Sequence, residues 1–324
     1  MDFLFVEVLS KPLWTWVAFV TAVGLLLAFD LGVLHRKSHA IGVRESLGLS
    51  AFYIAIGLGF GGIIFWWMGG QAATEYLTGF VVEKSLAMDN IFVIAMIFSY
   101  FAIPPSYQHR VLVYGIIGVL ILRGIMIAAG SAIVTEFSWV LYIFAAFLVL
   151  TGIKMLLTAD KKHDVAASPV VQFITKRLNM TKELHGEKFF VRQPDAAGRM
   201  RLFITPLFAA LVMVELADLI FAVDSIPAIF AITTDPYIVL TSNVFAILGL
   251  RALYFALAAM VDRFVYLKYA LAAVLIFIGS KIFVADMLGL AKIPPMVSLS
   301  VTLGILAVGI IGSLWKTRRA VLPS

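Results

Sequence analysis

The stretch Glu83-Lys84-Ser85-Leu86-Ala87-Met88-Asp89-Asn90-Ile91 places charge inside otherwise apolar sequence, and it has a counterpart. That counterpart is Asp218-Leu219-Ile220-Phe221-Ala222-Val223-Asp224-Ser225-Ile226-Pro227, with Glu215 one helical turn upstream. In each, an acid is followed six residues later by aspartate, then by a small polar oxygen donor, then by isoleucine. An ionised carboxylate at the centre of a membrane helix costs roughly 2.5–3.5 kcal/mol on insertion scales. Five such acids need partners, and a cation is the natural one.

Composition supports a membrane setting. The chain is 62% hydrophobic and 14% charged, with mean hydropathy +1.02; a soluble domain carries about 25% charged residues. There are no cysteines, which excludes disulfides, thiolate metal sites and cysteine nucleophiles. The formal charge of +6 would suggest nucleic acid in a soluble protein, but here the basic residues sit in loops. That is the pattern of membrane orientation, and no nucleic-acid partner is expected.

Nine apolar stretches are long enough to span about 30 Å of hydrocarbon. They lie near 13–34, 47–68, 77–100, 111–130, 137–158, 203–231, 238–259, 266–287 and 293–315. The sixth is long and carries Pro227, so it reads either as a tilted helix or as one broken near its polar cluster. The first reads as a span and not as a cleavable signal, because it is too long and lacks a small-residue cleavage site before Arg36. Lysine and arginine fall on alternate connections, 18 on one set against 2 on the other. The positive-inside rule then puts the N-terminus outside and the C-terminus in the cytoplasm, and a bacterial inner membrane is the simplest location.

The pattern repeats. Arg123, deep in the fourth stretch, is followed by Gly152-Ile153-Lys154; Arg251, deep in the seventh, is followed by Gly279-Ser280-Lys281. Stretches 3–5 and 6–8 read as two three-helix units that enter the membrane from opposite sides, so the units are inverted. Inverted repeats with a site at their interface are typical of secondary transporters. The expected architecture is all-α, a single membrane domain over 1–324. Peripheral spans occupy 1–76, the first unit 77–158, a charged cytoplasmic loop 159–201 and the second unit 202–287. A last span with its tail follows over 288–324.

Donor chemistry narrows the ligand. Glu83, Asp89, Glu215, Asp218 and Asp224 offer hard carboxylate oxygens, and Asn90 and Ser225 add neutral oxygens beside the two aspartates. An oxygen-only set suits Mg2+, Ca2+ or Mn2+. On a straight helix six residues turn the chain by about 240°, so Glu83 and Asp89 would not share a face, nor would Asp218 and Asp224. Either the helices unwind locally or the acids form two sites. Met88 could bring a thioether to Mn2+, or simply pack.

Structural readings stand beside these. The acids could form buried ion pairs with Lys84, Arg123 and Arg251. Lys154 and Lys281, near span ends, could snorkel to the surface or act as gates. Asp30 would pair with the nearby His35-Arg36-Lys37 run, and His39, His109, His163 and His185 fall in expected loops without metal-ligand spacing. The Phe189-Phe190-Val191-Arg192 stretch is apolar enough to dock back on the bundle.

Several motifs resemble the TerC membrane proteins, named for tellurite resistance, most closely their alkali-inducible Alx branch. They are Glu83 to Asn90 (EKSLAMDN), Glu215 to Pro227 (ELADLIFAVDSIP), Thr233 to Pro236 (TTDP), Ser242 to Arg251 (SNVFAILGLR) and Phe189 to Arg192 (FFVR). The resemblance covers almost the whole chain. It implies manganese export, within the wider LysE-type exporter superfamily, with the functional acids at Glu83, Asp89, Glu215, Asp218 and Asp224. The tellurite label does not follow from the residues: tellurite is an oxyanion, the intramembrane cluster is acidic, and no thiol is present to reduce it.

The expectation is a non-enzymatic transporter that moves Mn2+ outward. Buried, mutually repelling carboxylates can exchange protons for metal, which makes a proton antiporter. Asp89 and Asp224 are expected to approach each other at the pseudo-two-fold axis. A Ca2+/H+ or other cation/H+ exchanger fits the same donors. An intramembrane aspartyl protease also has two membrane aspartates, but in Tyr-Asp and Gly-x-Gly-Asp contexts, whereas these follow Met88 and Val223. A membrane stress protein whose acids are structural is the remaining class.

Overall fold

Proline and glycine set the ends of the long helices in the computed structural model. Thr205 and Asp235 precede Pro206 and Pro236, and their side chains accept hydrogen bonds from Phe208 N–H at 3.4 Å and Tyr237 N–H at 2.9 Å. This is N-capping with proline at the first helical position, and it gives the Thr233–Pro236 motif a structural role. Pro105 and Pro295 open two more helices. Gly69, at φ +89°, alone separates two helices, in a backbone region that favours glycine.

The structure describes residues 5–9, 11–29, 42–158, 180–181, 183–194, 199–258, 266–289 and 293–321. The side chains of Val43, Asp89, Phe92, Asp224, Arg251, Ala258 and 317–321 are not among them. The helices are α1 (Leu13–Phe29), α2 (Val43–Met68), α3 (Gly70–Tyr100), α4 (Pro105–Glu136), α5 (Val140–Thr158), α6 (Pro206–Phe230), α7 (Pro236–Leu248), α8 (Leu250–Ala258), α9 (Leu267–Met287) and α10 (Pro295–Val321). The expected Asp30 pair, His39, His163 and most of the 159–201 loop lie outside the described residues.

Among the described residues six helices are long and apolar enough to cross a membrane: α2, α4, α5, α6, α9 and α10. α1 and α7 are apolar but shorter, and α3 is long but carries Glu75, Glu83, Lys84 and Asp89. Several helices outrun their apolar stretches. α3 begins at Gly70 and not near 77, and α4 covers Pro105–Glu136 against an expected 111–130, which brings His109 into helix. An apolar run measures the hydrocarbon, whereas hydrogen bonding can carry the helix on into the interface.

Of the two readings open for the sixth stretch, a break at the polar cluster does not hold: α6 runs on to Phe230, with Pro227 in its last turn. The interruption falls in the seventh stretch, at Gly249 between α7 and α8, where an added Cβ would lie 2.8 Å from Lys84 Nζ and 2.9 Å from Tyr53 Cβ. Nor is the chain wholly helical. β1 (Glu7–Val8) pairs with β2 (Lys11–Pro12), and β3 (Phe190–Pro194) with β4 (Met200–Ile204), both antiparallel. The second hairpin carries the Phe-Phe-Val-Arg stretch, and as expected it docks on the bundle. Phe190 packs on Phe208 with ring centroids 4.5 Å apart, and Phe189 on Tyr114 at 5.2 Å.

The connections gather at two ends. At one, Lys11 pairs with Asp235 at 3.0 Å, Trp14 meets Trp67, and Thr74 meets Met296. At the other, Arg110 pairs with Glu187 at 2.9 Å, Tyr254 donates to Gln108 at 3.1 Å, and Lys316 lies over Tyr266. These are the two sets of alternate connections separated by the charge count.

Central α3 packs on α2, α6, α7, α8 and α10, while α4 packs on α6 and α5 on α9. A core of Ile91, Ile94, Phe98, Leu207, Ala210 and Met213 fills the α3–α6 contact toward the second end. Phe80, Tyr76, Tyr237 and Phe245 fill α3–α7. Met88 is half-buried against two of the cores, the packing role allowed for it.

Candidate functional site

α3, α4, α6 and α7 meet around Arg123, which is 1% exposed. Its guanidinium grips Asp218 with two parallel hydrogen bonds, Nε to Oδ2 at 3.0 Å and Nη2 to Oδ1 at 2.8 Å. Nη1 donates to Glu83 Oε1, and lies 3.3 Å from Ser225 Oγ and 3.4 Å from Asn243 Oδ1. This is the bidentate fork that matches arginine to carboxylate, extended by further oxygens.

Helical spacing explains who reaches the cluster. α3 and α6 are continuous through their acidic segments, so the local unwinding considered from the sequence does not occur. Seven residues are nearly two full turns. Glu83 therefore shares a face with Asn90, and Asp218 shares the matching face of α6 with Ser225; all four are buried. Asp89 and Asp224 precede Asn90 and Ser225 by one residue in the sequence of their helices. Their side chains, and that of Arg251, lie outside the described residues.

Glu215 adds a third carboxylate, one turn from Asp218 on the same face of α6. Glycine on α4 makes room for it: a Cβ on Gly118 would lie 2.4 Å from Glu215 Oε1, and one on Gly115 at 3.7 Å. Glu83 Oε2, Glu215 Oε2 and Asn243 Nδ2 are buried and have no hydrogen-bond partner among the described residues. Also among the described residues, no group of three or more His, Asp or Glu is arranged to hold a metal ion. Glu83 and Asp218 are drawn onto the arginine.

The lysines separate. Lys84 does not join the acids; its Nζ donates to Ala246 O at 2.9 Å, in the last turn of α7, where carbonyls lack helical partners. Lys154 is exposed, as snorkelling requires. Lys281 is 8% exposed, so it does not snorkel. It lies 3.4 Å from Ser298 Oγ and lines a cavity of about 280 Å³ with Ser138, Tyr142, Thr234 and Asp286. An adjoining cavity of about 470 Å³ reaches from Lys281 to Gln71 and Glu75. Both open at the end holding Lys11 and Asp235.

Sequence reasoning did not assign Asn243, Gly115 or Gly118. Asn243 lies inside the Ser242–Arg251 motif, and its signal was an amide in the middle of an apolar run. The glycines gave none, because their role is to leave space for a residue distant in sequence.

Fold and site together define a polytopic helical membrane protein with a charged cluster at its centre. Residues 68–321 match the Integral membrane protein TerC family, and the chain belongs to that family. It is similar to an uncharacterised membrane protein of Rickettsia bellii (strain RML369-C), 48% identical over 299 residues, covering 92% of this chain and 96% of that one. A second uncharacterised relative, from Myxococcus xanthus, is 45% identical over 305 residues, 94% of this chain and 93% of its own. Another relative, from Escherichia coli (strain K12), is described as a candidate membrane-bound redox modulator, Alx. It is 45% identical over 313 residues, 94% of this chain and 95% of its own. No solved structure matches the chain.

Proposed function

We propose that this chain is a secondary transporter that exports Mn2+ from the cytoplasm in exchange for protons. The observation that carries this reading is the cluster itself. Glu83 and Asp218 hold one guanidinium, Glu215 stands one turn from Asp218 on α6, and Glu83 and Glu215 each keep a buried oxygen with no partner among the described residues. Buried carboxylate oxygens without partners are costly. A hard divalent cation or protons supply what they lack, and exchange between the two is antiport. Asp89, Asp224, Asn90 and Ser225 are the further oxygen ligands in this reading. The choice of Mn2+ rests on the motif resemblance, as does the LysE-type placement; Ca2+ suits the same oxygens.

The proposed frame is nine spans in a bacterial inner membrane, N-terminus outside, with two inverted three-helix units. Helix pairing supports the inversion. Exchanging the units swaps α3 with α6, α4 with α7–α8, and α5 with α9. The α3–α7 contact then becomes α6–α4, and α5–α9 maps onto itself; all three contacts exist. The redox description of the Escherichia coli relative finds no dithiol here, since the chain has no cysteine.

One observation favours a structural role instead: Arg123 pairs with both Glu83 and Asp218, as a helix-holding network would. Transport into proteoliposomes separates the two. With the pH inside the vesicle lowered, Mn2+ should accumulate until an ionophore collapses the gradient. Intact, reconstituted protein that moves neither Mn2+ nor Ca2+ would leave the structural reading in place.

A further inference from the structure

We infer that Arg123 is a tethered resident cation: its guanidinium occupies the position between Glu83 and Asp218, and withdraws to Glu215 when a transported ion takes those carboxylates. The inference rests on the cation-transport reading above and adds the residue with which the ion must compete.

The guanidinium is held as a bound ion would be, by oxygens alone. Asp218 gives two, and Glu83, Ser225 and Asn243 give one each. Three of those residues stand at positions the sequence reading had assigned to metal. A divalent ion on the same carboxylates would meet a like charge, so ion and guanidinium exclude one another.

A displaced guanidinium cannot be left unpaired in the interior, where a lone buried charge is strongly destabilising. Glu215 is the available partner. It lies one turn from Asp218 on the same face of α6, and its Oε2 has no hydrogen-bond partner among the described residues. Long helical side chains lean toward the N-terminus of their own helix. For Arg123 that is the direction along the helix axis of Gly118 and Gly115, where Glu215 packs close against α4 with no side chain of those two residues between. The arginine thus has one carboxylate pair to leave and another carboxylate to reach. Ion binding is weakened by the small fraction of molecules in which the arginine has already withdrawn.

The test is binding of Mn2+ alone to the purified full chain, read from loss of the paramagnetic resonance signal of free Mn2+. Arg123→Gln removes the competitor and should tighten binding about tenfold or more. Glu215→Gln removes the refuge and should weaken binding in the otherwise unchanged chain, yet have little effect beside Arg123→Gln. Equal weakening in both backgrounds would make Glu215 a direct ligand and overturn the withdrawal. Arg123→Lys keeps the charge but loses the two-pronged grip on Asp218, and should also bind Mn2+ more tightly than the parent. If the parent binds Mn2+ and neither Arg123 change improves it, the competitor role falls while the cation site stands. If neither variant accumulates, Arg123 is a structural strut and the inference is wrong. If no chain binds Mn2+, parent included, both readings fall.

Discussion

Gly152 and Gly279 stand in the same relation to each other's helix. A Cβ on Gly152 would lie 2.8 Å from the carbonyl oxygen of Ala272, seven residues before Gly279. A Cβ on Gly279 would lie 2.6 Å from the carbonyl oxygen of Ala145, seven residues before Gly152. Tyr142 near the start of α5 meets Phe283 near the end of α9, so the helices run antiparallel. Reciprocal contacts at equal offsets are what a local two-fold between inverted units would produce.

These contacts are with backbone, which cannot move aside cheaply. Gly152→Ala and Gly279→Ala should each destabilise the protein by about 1–3 kcal/mol, the usual cost of overpacking. The two act on one contact, so the double variant should cost less than the sum. Gly62 has nothing within 4 Å of its would-be Cβ, and Gly62→Ala should hold or raise stability. Thermal melting in detergent measures all four.

The charge count and the two gathered ends make a prediction about sidedness. The chain has no cysteine, so introduced ones report alone. Ser138→Cys lies at the end with Lys11 and Asp235, and Lys188→Cys next to the Arg110–Glu187 pair. An impermeant maleimide applied to intact cells should label the first and spare the second, and broken cells should label both. The reverse pattern would put the basic end outside and invert the proposed direction of export.

Gly118 tests the cluster without touching a charge. Its Cβ would fall 2.4 Å from Glu215 Oε1, the far end of a flexible side chain, so Gly118→Ala can be relieved by moving that carboxylate away. Abundance should stay near normal, while Mn2+ efflux should fall severalfold. Full efflux with a shifted Glu215 would show that its position does not matter to transport.

Much of this arrangement was legible in the sequence, for reasons that also mark the limit. Apolar runs located the helices because burial in lipid requires them, and Arg123 stands out in the sequence as a landmark of the repeat and as one of three candidate partners for the acids. Which partners it has was not legible. Glu83 and Asp218 are 135 positions apart, and only the packing of α3, α4 and α6 brings them to one guanidinium. Lys84 was as plausible a partner, but it turns to the open carbonyls at the Gly249 interruption. Sequence pattern left the Pro227 segment open as a tilted or a broken helix, and the helix continues to Phe230 although proline has no N–H to reach the carbonyl four residues back. The interruption falls instead where Gly249 fits between Lys84 and Tyr53.

The carboxylates should separate into two kinds. Asp218 holds Arg123 through two hydrogen bonds, so Asp218→Asn leaves a buried guanidinium with Glu83 as its main partner. Breaking a buried pair on one side costs roughly 3–5 kcal/mol, and this variant should be scarce in the membrane. Asp89→Asn and Asp224→Asn keep size and shape but remove a charged ligand next to Asn90 and Ser225. If these two are ligands, both variants should accumulate normally and lose manganese tolerance. Replacing Glu83, Arg123 and Asp218 together by apolar residues of similar size should restore abundance, since no charge is left unpaired, but not efflux. Membrane abundance, melting temperature and Mn2+ tolerance, measured on the same strains, distinguish the cases. Normal efflux from both Asp89→Asn and Asp224→Asn would remove them from the ion pathway, and efflux recovered in the apolar triple variant would make the whole cluster structural.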